Sequence, residues 1–130
     1  MTRWWATVPE IAEDVRAALA AEDDIHAIRM LMDGINALPA ARQAGLLDEA
    51  LGEPSTTGDE RWDALLAGAL RYRLHQMGAG APPWTYKPPL PTSWWPFAYS
   101  PSDAYNDMAH TPAELMRLGI FLDEREFSQA

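Results

Sequence analysis

The chain has 130 residues, no cysteine, 48% apolar residues and a formal charge of −9. That size and apolar content suit one compact domain with a real core. The missing cysteines exclude disulfides and thiolate metal sites, and the acidic balance opposes long-range attraction to nucleic acid and favours a basic partner. The imbalance is regional: twelve acids against four bases in residues 1–60, one against four in 61–99, and six against two in 100–130.

Met1 to Ala6 carries Arg3 and two tryptophans but no apolar core of a signal peptide, so a cytoplasmic location is expected. Thr7-x-x-Glu10 reads as a capping box, and Val8, Ile11, Val15, Ala18 and Leu19 place one apolar stripe on a helix of roughly residues 8–21. Asp23 or Asp24 caps a second helix with the stripe Ile25, Ile28, Leu31, Met32 and Ile35, ended by Pro39. A third, shorter helix is expected from Ala40 to Leu51, stopped by Gly52 with Pro54 beyond.

Thr57-x-x-Glu60 reads as a second capping box. It opens the best-marked helix, whose Trp62, Leu65, Leu66, Ala69, Leu70 and Met77 form a broad apolar face before Gly78 and Gly80 stop it. Asp59 and Glu60 suit its positive first turn, and Arg71 and Arg73 lie toward its negative end.

From Pro82 to Pro101 follow seven prolines and six aromatic residues in twenty positions, with Lys87 the single charge. Proline lacks a backbone donor and fixes φ, which excludes a helix and weakens any ladder. Such an arm is too apolar for a flexible linker and has to cover something, its own helices or another molecule. Its longest uncharged stretch, Pro88 to Ser102, is too short to span a bilayer.

Ser100-Pro101 with Asp103 starts a short helix, and Thr111-Pro112-Ala113-Glu114 starts another that Gly119 closes. Ile120-Phe121-Leu122 reads as a strand or extended segment, and Asp123 caps a last turn. The fold class predicted is mostly α: a small single domain, 1–130, with N-terminal helices (1–53), a central helix (54–80), an extended Pro/Trp-rich arm (81–101) and a short capped helical tail (102–130).

Candidate chemistry is thin. His26, His75 and His110 have no second ligand at a metal-binding spacing, so no metal or other cofactor is expected. Asp14, Glu22, Asp23 and Asp24 lie on amphipathic surfaces, not in a cleft able to separate two carboxyl pKa values. Gly78-Ala79-Gly80 follows a helix where a phosphate loop would precede one. No enzyme is expected, and Arg71, Arg73 and Lys87 near Trp84 and Tyr86 read as arginines snorkelling along a packed helix before they read as a single-strand surface. Trp84, Trp94, Trp95 and Phe97 are the candidate partner anchors, with Leu115, Arg117, Phe121 and Leu122 in the tail as a second set.

The run Pro54-Ser55-Thr56-Thr57-Gly58-Asp59-Glu60-Arg61-Trp62-Asp63-Ala64-Leu65-Leu66-Ala67-Gly68 resembles a segment of actinobacterial antitoxin-like proteins. In them it follows an Xre-type helix-turn-helix domain. The likeness continues through Pro82-Pro83-Trp84-Thr85, Trp94-Trp95-Pro96-Phe97, and the tail residues Thr111-Pro112, Leu115, Gly119-Ile120 and Leu122-Asp123. It covers about residues 54–126 in register. Such proteins are usually encoded beside a nucleotidyltransferase-fold toxin, so the resemblance implies an antitoxin that binds and silences a partner enzyme. Residues 1–53 carry no helix-turn-helix pattern and an excess of acids, so operator binding is not implied. The alternatives are a transcriptional or nucleic-acid-binding regulator, and a self-associating scaffold module of a mobile element.

Overall fold

The computed structural model describes residues 3–127; the chain divides into two compact units, Met1–Asp59 and Glu60–Ala130. Helices dominate, and no β-strand occurs among the described residues. The division falls a few residues beyond the boundary expected between the N-terminal helices (1–53) and the central helix (54–80).

The first unit is built on α1 (Val8–Ala20) and α2 (Asp24–Asn36). The Thr7 capping box is present in full: Glu10 N–H donates to the Thr7 hydroxyl at 3.3 Å, and Thr7 N–H donates to the Glu10 carboxylate at 2.9 Å. The Thr7 N–H and Arg3 guanidinium, with the Thr7 hydroxyl, lower the Glu10 pKa to about 2. A carboxyl lowered in the fold stabilises above its unfolded value, and that contribution fades as pH falls toward 2. Glu10→Gln is therefore expected to lose about 0.5–1 kcal/mol at pH 7 and nothing at pH 2, the carboxylate being half-exposed and screened. Thermal unfolding at the two pH values checks it, and an equal loss at both counts against it.

Glu22 takes a left-handed φ of 57°, and Asp23 N–H reaches back to Ala18 O at 2.9 Å, so α1 ends in a Schellman-type turn without glycine. Asp23 then caps α2, accepting from His26 N–H at 3.0 Å.

The buried face of α1 is Val8, Ile11, Ala12, Val15 and Ala18, close to the expected stripe. That of α2 is Ala27, Leu31, Met32 and Ile35, while Ile25 is exposed and Ile28 half-buried. The rotation has a steric cause. A Cβ on Gly34 would stand 2.5 Å from Ile11 Cγ1, so α2 presents its small residues where α1 comes closest.

The single helix expected over 40–51 is two: α3 (Leu38–Gln43) and α4 (Leu47–Ala50). Gly45, at φ 74°, and the bond from Leu46 N–H to Ala41 O break it. Pro39 sits in the first turn of α3, where no intrahelical donor is needed, so it opens that helix after α2 has ended.

The second unit is organised on α5 (Glu60–Gln76). Thr57 lies upstream of its first turn, its hydroxyl accepting from Asp59 N–H and donating to Asp59 O, so α5 starts two residues later than the spacing suggests. Ala64 through Leu70 are all buried, together with Trp62 and Leu74, which makes α5 apolar nearly all round and central. Gly78, at φ 68°, and the Ala79 N–H to Leu74 O bond end it as expected.

A 3₁₀ turn (Pro83–Thr85) begins the arm, and the tail adds α6 (Pro101–His110), α7 (Ala113–Met116) and a last 3₁₀ turn (Glu124–Phe127). Ser100 caps α6 and Asp123 caps the last turn, as the sequence predicts. Gly119, at φ 79°, closes α7 and sends Ile120 back, its N–H bonding to Leu115 O.

Candidate partner-binding surface

The arm is extended but pinned. Leu90 N–H donates to Leu118 O, Trp94 N–H to Gly119 O, and Phe121 N–H to Trp94 O, each at 2.9 Å. Ile120 is thus extended, as expected, but contributes one parallel bridge to Trp94 and no strand. The prolines at 88, 89, 91 and 96 supply no donors, which keeps this pairing from growing into a ladder.

Each of the four arm anchors is half-buried. The Trp94 ring meets Trp62 edge-on at 5.3 Å between centroids and carries the Arg61 guanidinium 4.9 Å from its centroid. Trp95 stacks on Phe121 at 5.1 Å, and its indole Nε1 is buried with no hydrogen-bond partner among the described residues. Trp84 and Phe97 likewise divide their surface between the fold and the exterior. The arm therefore covers its own unit and still presents part of its rings.

The tail set separates. Leu115 and Leu122 have no exposed surface and belong to the core, so they cannot touch a partner of the folded chain. Their helical and extended spacing gave no sign of this: Gly68 lets α7 come so close to α5 that Leu115 is sealed, and Leu122 is buried where its N–H donates to the Thr111 hydroxyl at 3.2 Å. Phe121 and Arg117 stay half-buried and remain on the surface.

Arg117 sits over the Tyr86 ring at 4.2 Å from its centroid and donates from Nη2 to Lys87 O at 2.8 Å. Arg71 lies 5.2 Å from the same centroid. Tyr86 itself is 63% exposed. Among the described residues, Arg71, Lys87 and Arg117 have no carboxylate within ion-pair distance. Arg73 sits deeper than the snorkelling arginine expected: its guanidinium donates to Phe127 O, its charge lies 5.8 Å from the Phe127 ring centroid, and burial lowers its pKa.

The sequence reading missed Tyr99, Tyr105, Met108 and Met116, all exposed. On α6 the signal was present: Tyr105, Met108 and Ala109 share a face with Pro101 and Ser102, whereas Asp103, Asp107 and His110 share the opposite one.

Asp107 is buried there, and its Oδ2 has no hydrogen-bond partner among the described residues. Burial chiefly, then the charges of Asp123 and Asp103, push its pKa up against a hydrogen bond from Asn106. Burial also acts on Asp123, but the Arg125 N–H, the Asn106 amide and the Arg125 guanidinium outweigh it and hold that carboxyl low. A raised carboxyl pKa destabilises the fold above that pKa, and the penalty vanishes below the unfolded value. Asp107→Asn is thus expected to raise the melting temperature at pH 7 and to bring no gain near pH 3, read by calorimetry. A melting temperature unchanged or lowered at pH 7 counts against it.

His75 is paired with Glu114, and His110 Nδ1 lies 2.8 Å from Asn106 O. Among the described residues, no group of three His, Cys, Asp or Glu side chains is placed to hold a metal. The first unit has an open cleft of about 350 Å³ beside Trp4 and Trp5, where Glu10 is tied to Arg3 at 2.9 Å. Asp14 and Asp33 line it. No helix among the described residues is long and apolar enough to cross a membrane.

No family model, curated protein or solved structure matches this chain.

Proposed function

We propose that this chain is an antitoxin-like binding protein that neutralises a nucleotidyltransferase-type toxin by covering its active-site cleft. The observation that supports it is the arm. Its half-buried rings are fixed by backbone bonds to the tail and by contacts with Trp62 and Phe121, so presenting them to a partner costs little further ordering. Rigid tryptophans are the residue type that carries binding energy. An enzyme acting on RNA needs a positive substrate surface, which the acid excess of residues 1–60 complements. Steering then speeds encounter, and the apolar rings set the rate of escape.

The test is co-expression with the protein encoded beside the chain, which this reading expects to have a nucleotidyltransferase fold. Relief of growth arrest and co-elution are expected. Trp94→Ala and Trp95→Ala, each shown to be folded, are expected to weaken the complex at least about tenfold. A neighbour without that fold, or full rescue by both variants, rejects the reading.

A nucleic-acid-binding regulator is the second reading. One observation favours it: Arg71, Lys87 and Arg117 gather at the exposed Tyr86 without carboxylate partners among the described residues. Sequence-specific retention of DNA by the purified chain in a gel shift at moderate salt would put it first.

A further inference from the structure

Arg71 on α5 and Arg117 just after α7 bring two guanidiniums to one ring, 5.2 and 4.2 Å from the Tyr86 centroid. Gly68, one turn before Arg71, lets α7 close on α5 at Leu115 and Leu118, the residues that flank Arg117. No carboxylate among the described residues lies within ion-pair distance of either arginine. Glu114, one turn before Arg117, is held by His75. Asp63, the one acid of residues 61–99, stands about 12 Å along α5 from Arg71. Each guanidinium carries several donors. Arg117 uses one on Lys87 O at 2.8 Å, and Arg71 one on the Thr85 hydroxyl at the long distance of 3.5 Å. Thr85 is buried and anchored, its hydroxyl donating to Pro82 O at 2.6 Å. Arg71 Nε is buried without a hydrogen-bond partner among the described residues. Two like charges thus share a site open to solvent at Tyr86, and Lys87 adds a third on the same segment.

We propose that Arg71, Arg117 and Tyr86 form a binding site for a phosphate group, carried by a free nucleotide or by a nucleic-acid strand. The proposal does not rest on the neutralising role argued above. Charge and geometry select the ligand. A phosphate monoester carries about −1.5 to −2 and three strong acceptor oxygens, so one group answers two guanidiniums. A carboxylate brings a single charge, which one arginine fork satisfies alone. Arginines packed on a ring also suit phosphate better than mobile lysines do, because the planar fork is already oriented and less freedom is lost on binding. An unmet donor such as Arg71 Nε is the mark of a side chain held by the fold in a fixed position with its charge unanswered. The chain as a whole is at −9, so this positive site is not a by-product of a basic composition. The same acidity repels a long polyanion and leaves contact with phosphate local to Tyr86.

The experiment is titration calorimetry on the full chain in phosphate-free buffer, with inorganic phosphate, AMP, adenosine and a single-stranded RNA as probes. Phosphate and AMP are expected to bind, and adenosine is not. Arg71→Gln and Arg117→Gln are each expected to weaken AMP at least about tenfold. Arg117→Lys keeps the charge but loses the fork, and is expected to weaken it as well. Melting temperatures verify that the variants are folded. Should Arg71→Gln unfold, Arg117→Gln carries the comparison from its half-buried position. RNA binding more tightly than AMP supports the site with a strand as its source of phosphate. AMP binding more tightly supports it with a free nucleotide. No binding by any phosphate probe, undiminished affinity in the arginine variants, or equal heats from sodium chloride at matched ionic strength overturns the site and leaves the partner-binding role standing.

Discussion

Replacing Gly68 with leucine is expected to destabilise the unit of residues 60–130 by about 3 kcal/mol or more, the largest loss we foresee from a single added side chain. Gly68 lies in mid-helix, a position where glycine is inferior to alanine by about 1 kcal/mol. Its retention here has a steric cause: a Cβ would stand 2.7 Å from Leu115 Cδ2 and 2.8 Å from Leu118 Cδ1. Both leucines are fully buried and have nowhere to swing. Gly68→Ala gains propensity and loses packing, so it falls between. Leu115→Ala alone is expected to cost about 2–5 kcal/mol as a cavity, and it opens room for the extra methyl. The Gly68→Ala, Leu115→Ala pair should therefore be less harmful than the sum, by about 0.5–3 kcal/mol. Urea unfolding of the four proteins reads this directly. Strict additivity, or a Gly68→Leu chain as stable as wild type, would show that α5 and α7 are not held this close.

That contact also marks where the sequence stops being readable. Caps and stops act over a few residues, so Thr7, Asp23, Ser100, Gly78, Gly119 and Asp123 all stand where their side chains and permitted φ values place them. Faces are decided by neighbours distant in sequence. The α2 stripe was misjudged because the nearest approach belongs to Gly34, so the large Ile25 is turned outward. Leu115 and Leu122 looked like a tail free to grip a partner, but Gly68 and the returning Ile120 backbone enclose Leu115, and Leu122 is buried with its N–H on the Thr111 hydroxyl. Thr57 and Gly45 show the local limit: the Thr57 motif was legible but its role depended on where the helix began, and Gly45 was read through although its φ of 74° breaks the helix.

The candidate surface divides in the same way. Composition alone singled out the arm, since seven prolines among six aromatics fit neither helix nor linker. It did not say how the rings would share themselves between the fold and the exterior. Three backbone bonds to the tail settle that, because they hold the arm by its main chain and leave part of each ring outside. Helix α6 was passed over because a capped helix with two outward apolar residues resembles any surface helix. Its anomaly lies on the inner side, where the buried group is a carboxylate.

Trp62→Ala is the second large effect, with an expected loss of about 3–5 kcal/mol, a substantial fraction of the 5–15 kcal/mol typical of a small domain. Trp62 is 3% exposed and is the floor on which Trp94 rests edge-on. Trp94→Ala removes a half-buried ring and is expected to cost about half as much. The coupling between the two, beyond buried area, should be about 0.5–1.5 kcal/mol in a double-mutant cycle. The functional consequence separates a positioned surface from a merely sticky one. Trp62 is too deeply buried to make a sizeable contact with a partner, yet its loss leaves Trp94 unsupported and the arm free to sample other conformations. At a temperature where Trp62→Ala is still folded, its complex with the partner proposed above should be about tenfold weaker than that of the wild-type chain. An undiminished affinity in the folded variant would mean that the rings need not be held in place, and the arm's rigidity would then have no part in binding.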